Sequence, residues 1–140
     1  MVTRATLKQV AKTKLQAAKI LHAAGDSETA GYLLGYVVEC SLKAAICKTL
    51  KLVEYPDTGQ HTGVFASHSL DRLLILSGHS REDELTKNQN LFNNWSIVTK
   101  DWKPEIRYNV NTYATNIIAD KIAALEDPDD GFFTWIKKRW

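Results

Sequence analysis

Residues 30 to 50, AGYLLGYVVECSLKAAICKTL, are apolar round almost the whole circumference of a helix. Leu33, Val37, Cys40, Ala44 and Cys47 form one strip, and Leu34, Val38, Ser41 and Ala45 the next. Only Glu39 and Lys43 interrupt, four apart on the far side. Such a helix has no face to give to water, so it belongs in the middle of a bundle. The rest of the chain has to supply its cover.

The chain has 140 residues, enough for one domain with a substantial core. With 44% apolar and 24% charged residues its composition is that of a soluble globular protein. The longest uncharged apolar run, residues 30 to 38, is far short of the roughly twenty residues that span a bilayer. No apolar signal segment opens the chain. The expectation is a cytoplasmic protein without a membrane partner. Cys40 and Cys47 lie about 10 Å apart along one helix, too far for a disulfide, and read as small buried hydrophobes. No Cys/His spacing suggests a metal, and no cofactor is expected.

The net charge of +2 is unevenly placed. Arg4, Lys8, Lys12, Lys14 and Lys19 precede the first acid, Asp26, and Lys137, Lys138 and Arg139 fall near the other end. Basic ends suit a phosphate-rich partner; solvated helix faces are the plainer explanation for each lysine singly.

Helical periodicity is expected from residue 3 to 24, with Leu7, Val10, Ala11, Ala18 and Leu21 inward and His22 a satisfied helix-end histidine. Gly25 stops this helix and Asp26 or Ser27 caps the central one, over about 28 to 52. Gly31 and Gly35 read as a close helix contact. Residues 56 to 65 are a loop. Ser67 is a candidate cap for a short third helix that Gly78 ends. A fourth starts at a capping-box-like Ser80-Arg81-Glu82-Asp83 and carries Leu85, Leu91, Phe92 and Trp95, fraying at Asn88 to Asn94. A fifth runs from Pro104 to about 125 with Ile106, Val110, Tyr113, Ile117 and Ala124 buried. The fold class is all-α: an up-and-down bundle of about five helices over residues 1–126, then a short aromatic and basic helix over 127–140. Phe132, Phe133, Trp135, Ile136 and Trp140 in that last segment either dock on the bundle, form a partner interface, or stack on single-stranded RNA beside their three cations.

Three pieces together resemble the HEPN family (higher eukaryotes and prokaryotes nucleotide-binding domains). The central AGYLLGYVVECSLKAAI is similar to its A-E-x-x-L-K-A-L pattern through Glu39, Leu42, Lys43 and Ala44. SHSLDRLL, residues 67 to 74, is similar to its His-x-Leu-x-x-Leu-Leu segment. WKPEIRYNVNTY, residues 102 to 113, puts Arg107 where the family often keeps a functional arginine. The resemblance implies a helical homodimer and, in many members, a metal-independent endoribonuclease of toxin–antitoxin or antiviral defence systems. There an arginine, followed after four to six intervening residues by a histidine, works across a cleft between protomers. The chemistry is sound: a base takes the RNA 2′-hydroxyl proton while a guanidinium holds the phosphate oxygens.

This chain departs from that pattern, for Thr112, Tyr113 and Ala114 stand where the histidine would. What remains, Arg107 to Tyr113, is similar to the Arg–Tyr variant of toxins paired with a nucleotidyltransferase antitoxin, whose tyrosine is adenylylated. A tyrosine of ordinary pKa about 10 is a poor base at neutral pH. A second match, Arg72 to His79, lies in the wrong helix and is interrupted by Gly78. Arg107 and Tyr113 are therefore the candidate catalytic pair. Asn109, Lys43, Glu39 and His68 are candidate RNA- or nucleotide-binding residues. Glu39 and Lys43 are spaced for an ion pair, and His68 either caps a helix or bonds the Glu39 side. Asn109 and Asn116 share a strip with Asp120 that either lines a dimer cleft or faces water. The leading expectation is an RNA- or nucleotide-binding homodimer, an endoribonuclease if catalytic. The alternative is a non-catalytic adaptor for a nucleotidyltransferase or other defence protein.

Overall fold

The structure, a computed structural model, describes residues 2–56, 63–108 and 113–140. Thr3 opens the first helix by accepting from the Thr6 amide at 3.1 Å. α1 (Arg4–Ala23) then buries Leu7, Ala11, Leu15 and Ala18 as one strip. It closes with Gly25 at φ +89° and an Asp26 amide bond to the Leu21 carbonyl at 2.9 Å, a left-handed ending that glycine permits. His22, expected to be satisfied there, keeps its Nδ1 buried with no hydrogen-bond partner among the described residues. Asp26 at once caps the next helix, accepting from the Thr29 amide at 3.1 Å.

α2 (Ser27–Thr49) is buried along most of its length. It packs against α1, α3 (Leu70–Leu76), α5 (Gln89–Thr99), α6 (Thr115–Glu126) and α7 (Phe132–Ile136). The result is the all-α bundle that the apolar circumference requires. By length and hydropathy alone α2 is able to cross a bilayer, which a search for uncharged runs misses because Glu39 and Lys43 interrupt it. Here the protein's own helices cover it. Beside the bundle, β1 (Val2–Thr3) pairs antiparallel with β2 (Glu54–Tyr55).

The second half departs from the sequence expectation in three places. Ser69, not Ser67, caps α3. The fourth helix is two, α4 (Asp83–Lys87) and α5, and no side chain caps α4. The Asn-rich stretch does not fray. Asn88 caps α5 through the Asn90 and Leu91 amides, and Asn88, Asn90 and Asn94 all donate to Asp130. Finally, Pro104 begins only a 3₁₀ turn (Pro104–Tyr108), and α6 starts afresh at Thr115. That restart resets the helical phase. Ile118, Lys121 and Leu125 face inward, whereas Ile117 is exposed; Val110 lies outside the described residues.

Lys121 is the surprise on this face, 3% exposed. Its ammonium donates to the carbonyls of Ile97, Val98 and Lys100 at 3.0, 3.5 and 3.1 Å. These are orphan carbonyls at the end of α5, so a cation from α6 caps a neighbouring helix. Burial drops its pKa to about 8, against a smaller opposing pull from Asp101.

The C-terminal segment docks on the bundle. Phe132, Phe133, Trp135, Ile136 and Trp140 all join the same core as α1 and α2. Arg4 donates to the Trp140 carbonyl at 2.6 Å, and Lys8 and Lys12 sit over the Trp140 ring. Arg139 stacks on Trp135 and pairs with Glu82 and Glu84, both at 2.6 Å. These rings are occupied by the protein itself, so they offer no free stacking platform.

Two outcomes follow. Burying five large apolar side chains contributes about 1.5–3 kcal/mol each, comparable with the whole stability of a small domain. Deleting residues 132–140 will therefore abolish cooperative thermal unfolding by circular dichroism; an intact sigmoidal transition is the contrary result. For Lys121 the folded pKa lies below the unfolded value of about 10.4, so between about pH 8 and 10.4 the unfolded chain holds more protons and stability rises with pH. The Lys121→Met variant will lack that rise, on the order of 2–3 kcal/mol, in urea melts compared at pH 8 and 10.

Candidate functional site

One face of α2 carries Tyr32, Tyr36, Glu39 and Lys43, at spacings of four, three and four. The stripe is about 16 Å long. At its lower end the helix reaches a segment held by its own hydroxyls. Ser67 Oγ accepts from the Ser69 amide at 3.1 Å, and Ser69 Oγ accepts from the Arg72 amide at 3.4 Å, starting α3. These two bonds fix the backbone around His68, and its Nδ1 lies 2.8 Å from Glu39 Oε1. A carboxylate only accepts, so Nδ1 carries the proton.

Glu39 is 2% exposed. The same Oε1 receives the Lys43 ammonium at 3.0 Å, and Lys43 in turn lies over the Tyr55 ring. Oε2 is buried with no hydrogen-bond partner among the described residues. The expected Glu39–Lys43 pair and the expected His68 bond are thus both present, on one oxygen. Glu39 and Lys43 are correspondingly withdrawn from any ligand: one is buried and the other is committed to it. They support the site rather than meeting a ligand themselves. His68 is different, with its side chain 54% exposed. It lines a cavity of about 350 Å³ with Ser69, Leu70, Asp71, Thr99, Trp102, Lys103 and Pro104.

Trp102 forms the wall between the two ends of the stripe. Its indole N–H donates to the Tyr32 carbonyl at 3.1 Å, and its ring meets Tyr36 edge-on with centroids 5.4 Å apart. It fits because residue 35 is glycine; a Cβ there would fall inside the indole. Gly31 plays the same part for the Tyr113 ring. The two glycines therefore seat aromatic rings, not the neighbouring helix the spacing suggests.

At the upper end stands Arg107, exposed on the 3₁₀ turn and lying 4.8 Å over the Tyr108 ring. The neighbouring phenols of Tyr32, first, and Tyr108 hold its guanidinium still more firmly protonated. The Tyr32 and Tyr36 hydroxyls are hydrogen-bonded to each other at 3.1 Å. Burial first, then this neighbour, pushes the Tyr36 phenol up to about 12, with Glu39 adding to the shift and Arg107 opposing it. Among the described residues no carboxylate pairs with Arg107.

The Arg107–Tyr113 pair is not assembled. Tyr113 is 7% exposed, packed on Gly31, and its hydroxyl is buried with no partner among the described residues. Burial, then Asp101, raises that phenol to about 12. A hydroxyl sealed in the core cannot serve a phosphate beside an exposed guanidinium. Asn109 lies outside the described residues, and Asn116 and Asp120 are exposed. The Arg72–His79 match is also unassembled: Gly78 at φ +82° separates them, and His79 bonds Glu82 and stacks edge-on against Trp135. Cys40 is half-buried with its thiol pushed up to about 11, by burial first and then by Glu39, so it stays a protonated packing group.

Tyr32, Tyr36 and Trp102 are the residues the sequence reading passed over. The signal was available in part: two tyrosines continue the Glu39–Lys43 face upward at helical spacing. The chain matches no family model, no curated protein and no solved structure.

Gly35→Ala tests the scaffold of this face. Overpacking of this kind costs about 1–3 kcal/mol, so the variant will melt at a lower temperature and change tryptophan emission as Trp102 is displaced. An unchanged melting point and spectrum is the contrary result.

Proposed function

We propose that this protein is an HEPN-like RNA- or nucleotide-binding protein in which Arg107 receives a phosphate. One observation carries the reading: an exposed guanidinium, lying over the Tyr108 ring, with no carboxylate to satisfy it among the described residues. A planar fork stacked on a ring suits a phosphodiester better than a freely moving lysine does. The aromatic row of Tyr108, Tyr32 and Tyr36 beside it is the kind of surface on which unpaired bases lie. Tyr113 has no part in this proposal, because its hydroxyl is not presented. The homodimer belongs to the same reading, with a second copy facing the Arg107 surface.

The test is fluorescence anisotropy with a labelled single-stranded RNA, at two salt concentrations, on the wild type and Arg107→Ala. A charge-assisted contact is worth about 1.5–3 kcal/mol, so the variant will bind at least about tenfold more weakly. Its salt slope will fall by about 0.7 for the lost phosphate contact. Circular dichroism will not change, since the side chain supports no core. Equal binding by the two proteins overturns the reading. No binding by either leaves the adaptor for a nucleotidyltransferase or defence protein as the better account.

A further inference from the structure

We propose that the cations gathered round Trp140 form a binding site for a compact polyphosphate, a small anion of several linked phosphates. The site is built by α1, the end of α2 and the C-terminal segment. It shares no residue with the Arg107 surface and does not rest on that reading. Arg4, Lys8 and Lys12 follow one another at spacings of four, so they share a face of α1. Trp140 draws all three together. Its carbonyl accepts from the Arg4 guanidinium at 2.6 Å, and the Lys8 and Lys12 ammoniums lie over its ring, 5.6 and 5.8 Å from the centroid. Lys48, in the last turn of α2, adds a fourth positive charge close enough to act on Lys8.

Like charges one turn apart on a helix repel and cost stability unless acids are set among them. Here none are. Among the described residues no acidic side chain pairs with Arg4, Lys8, Lys12 or Lys48, whereas Lys19, farther along α1, pairs with Glu126 at 3.0 Å. Glu54, opposite Thr3 in the β1–β2 pair, makes no ion pair with any of the four. Lys8 registers the imbalance. Its ammonium is held below the ordinary lysine pKa, by burial first and then by Arg4, Lys12 and Lys48, with no acid opposing them. An anion that met these cations together would relieve their mutual repulsion as well as gain its own attraction.

Arg4 and Lys8 border a cavity of about 530 Å³, whose lining also includes Leu52 and Val53. That volume is of the order of a small-molecule site. Lys12 does not line it, but shares the indole with Lys8 and so adds its charge beside it. Size and charge together select the ligand. Several positive charges converging on one indole ask for several negative charges in one small group, and linked phosphates pack them closely. A single phosphate answers one or two of the cations and leaves the others repelling. Arg4 adds the planar fork that matches phosphate oxygens, while the lysines act as point charges.

The experiment titrates the full chain with inorganic triphosphate and with inorganic phosphate in a calorimeter. Triphosphate will bind at least about tenfold more tightly than phosphate, because it reaches more of the cations. The double variant Lys8→Gln, Lys12→Gln will bind triphosphate at least about tenfold more weakly than wild type. A second double variant, Lys14→Gln with Lys19→Gln, has the same net charge. Lys14 lies toward Cys40 and Lys19 is held by Glu126, so this protein will bind triphosphate within about twofold of wild type. If the first double variant fails to fold, the exposed Lys48→Gln decides in its place, with binding weakened about threefold or more. Equal losses in the two double variants would show bulk charge alone and overturn the site. So would a wild type that prefers triphosphate no more than phosphate. Triphosphate binding lost in Arg107→Ala but kept without Lys8 and Lys12 would place the ligand elsewhere and overturn it too.

Discussion

The carboxylate of Glu39 sits in the middle of a helix whose other sides are covered by apolar neighbours. An ion in such a place is tolerable only while nearby donors answer it. Lys43 answers from one turn away on the same helix, and His68 from across the groove. The second partner makes the contact more than local, because it binds the loop before α3 to the central helix. Removing Lys43 or His68 would leave a buried charge half-answered, with Oε2 already unpartnered. The polar face of α2 is therefore one connected arrangement: tyrosines above, ion pair below, and the indole of Trp102 between them.

The same helix explains the rest of the bundle. α1, α3, α5, α6 and α7 each cover part of α2, and the aromatic C-terminal segment completes the enclosure. Where the cover is a ring rather than a helix, the sequence has removed a side chain to admit it. Gly31 and Gly35 are those places, one turn apart. Cover and site are thus built by the same residues, for the glycine that lets Trp102 approach also gives the cavity its wall.

Much of this architecture was legible in the residues. α1 and α2, the cap at Asp26 or Ser27 between them, and the Gly25 turn follow from periodicity and end signals strong enough to stand alone. Glu39 with Lys43 follows from spacing of four. The later helices are harder to read, because one helical phase from Ile106 through Tyr113 to Ile117 does not hold: Pro104–Tyr108 is a 3₁₀ turn and α6 begins only at Thr115. No composition signal marks that break. Lys121 was invisible for a different reason: a lysine reads as solvated until three carbonyls from another helix are found around it. In the site, Arg107 and His68 were legible as residues but their surroundings were not. Tyr113 was placed in both the core stripe and the catalytic pair, and burial decides for the first.

The bond from Lys121 to the Lys100 carbonyl ties the end of α5 to α6. Tyr113, just before α6, is packed against Gly31 of α2. The last turn of α5 and the approach to α6 are thus each fastened to the bundle, and the entropy of bringing them together is spent in folding.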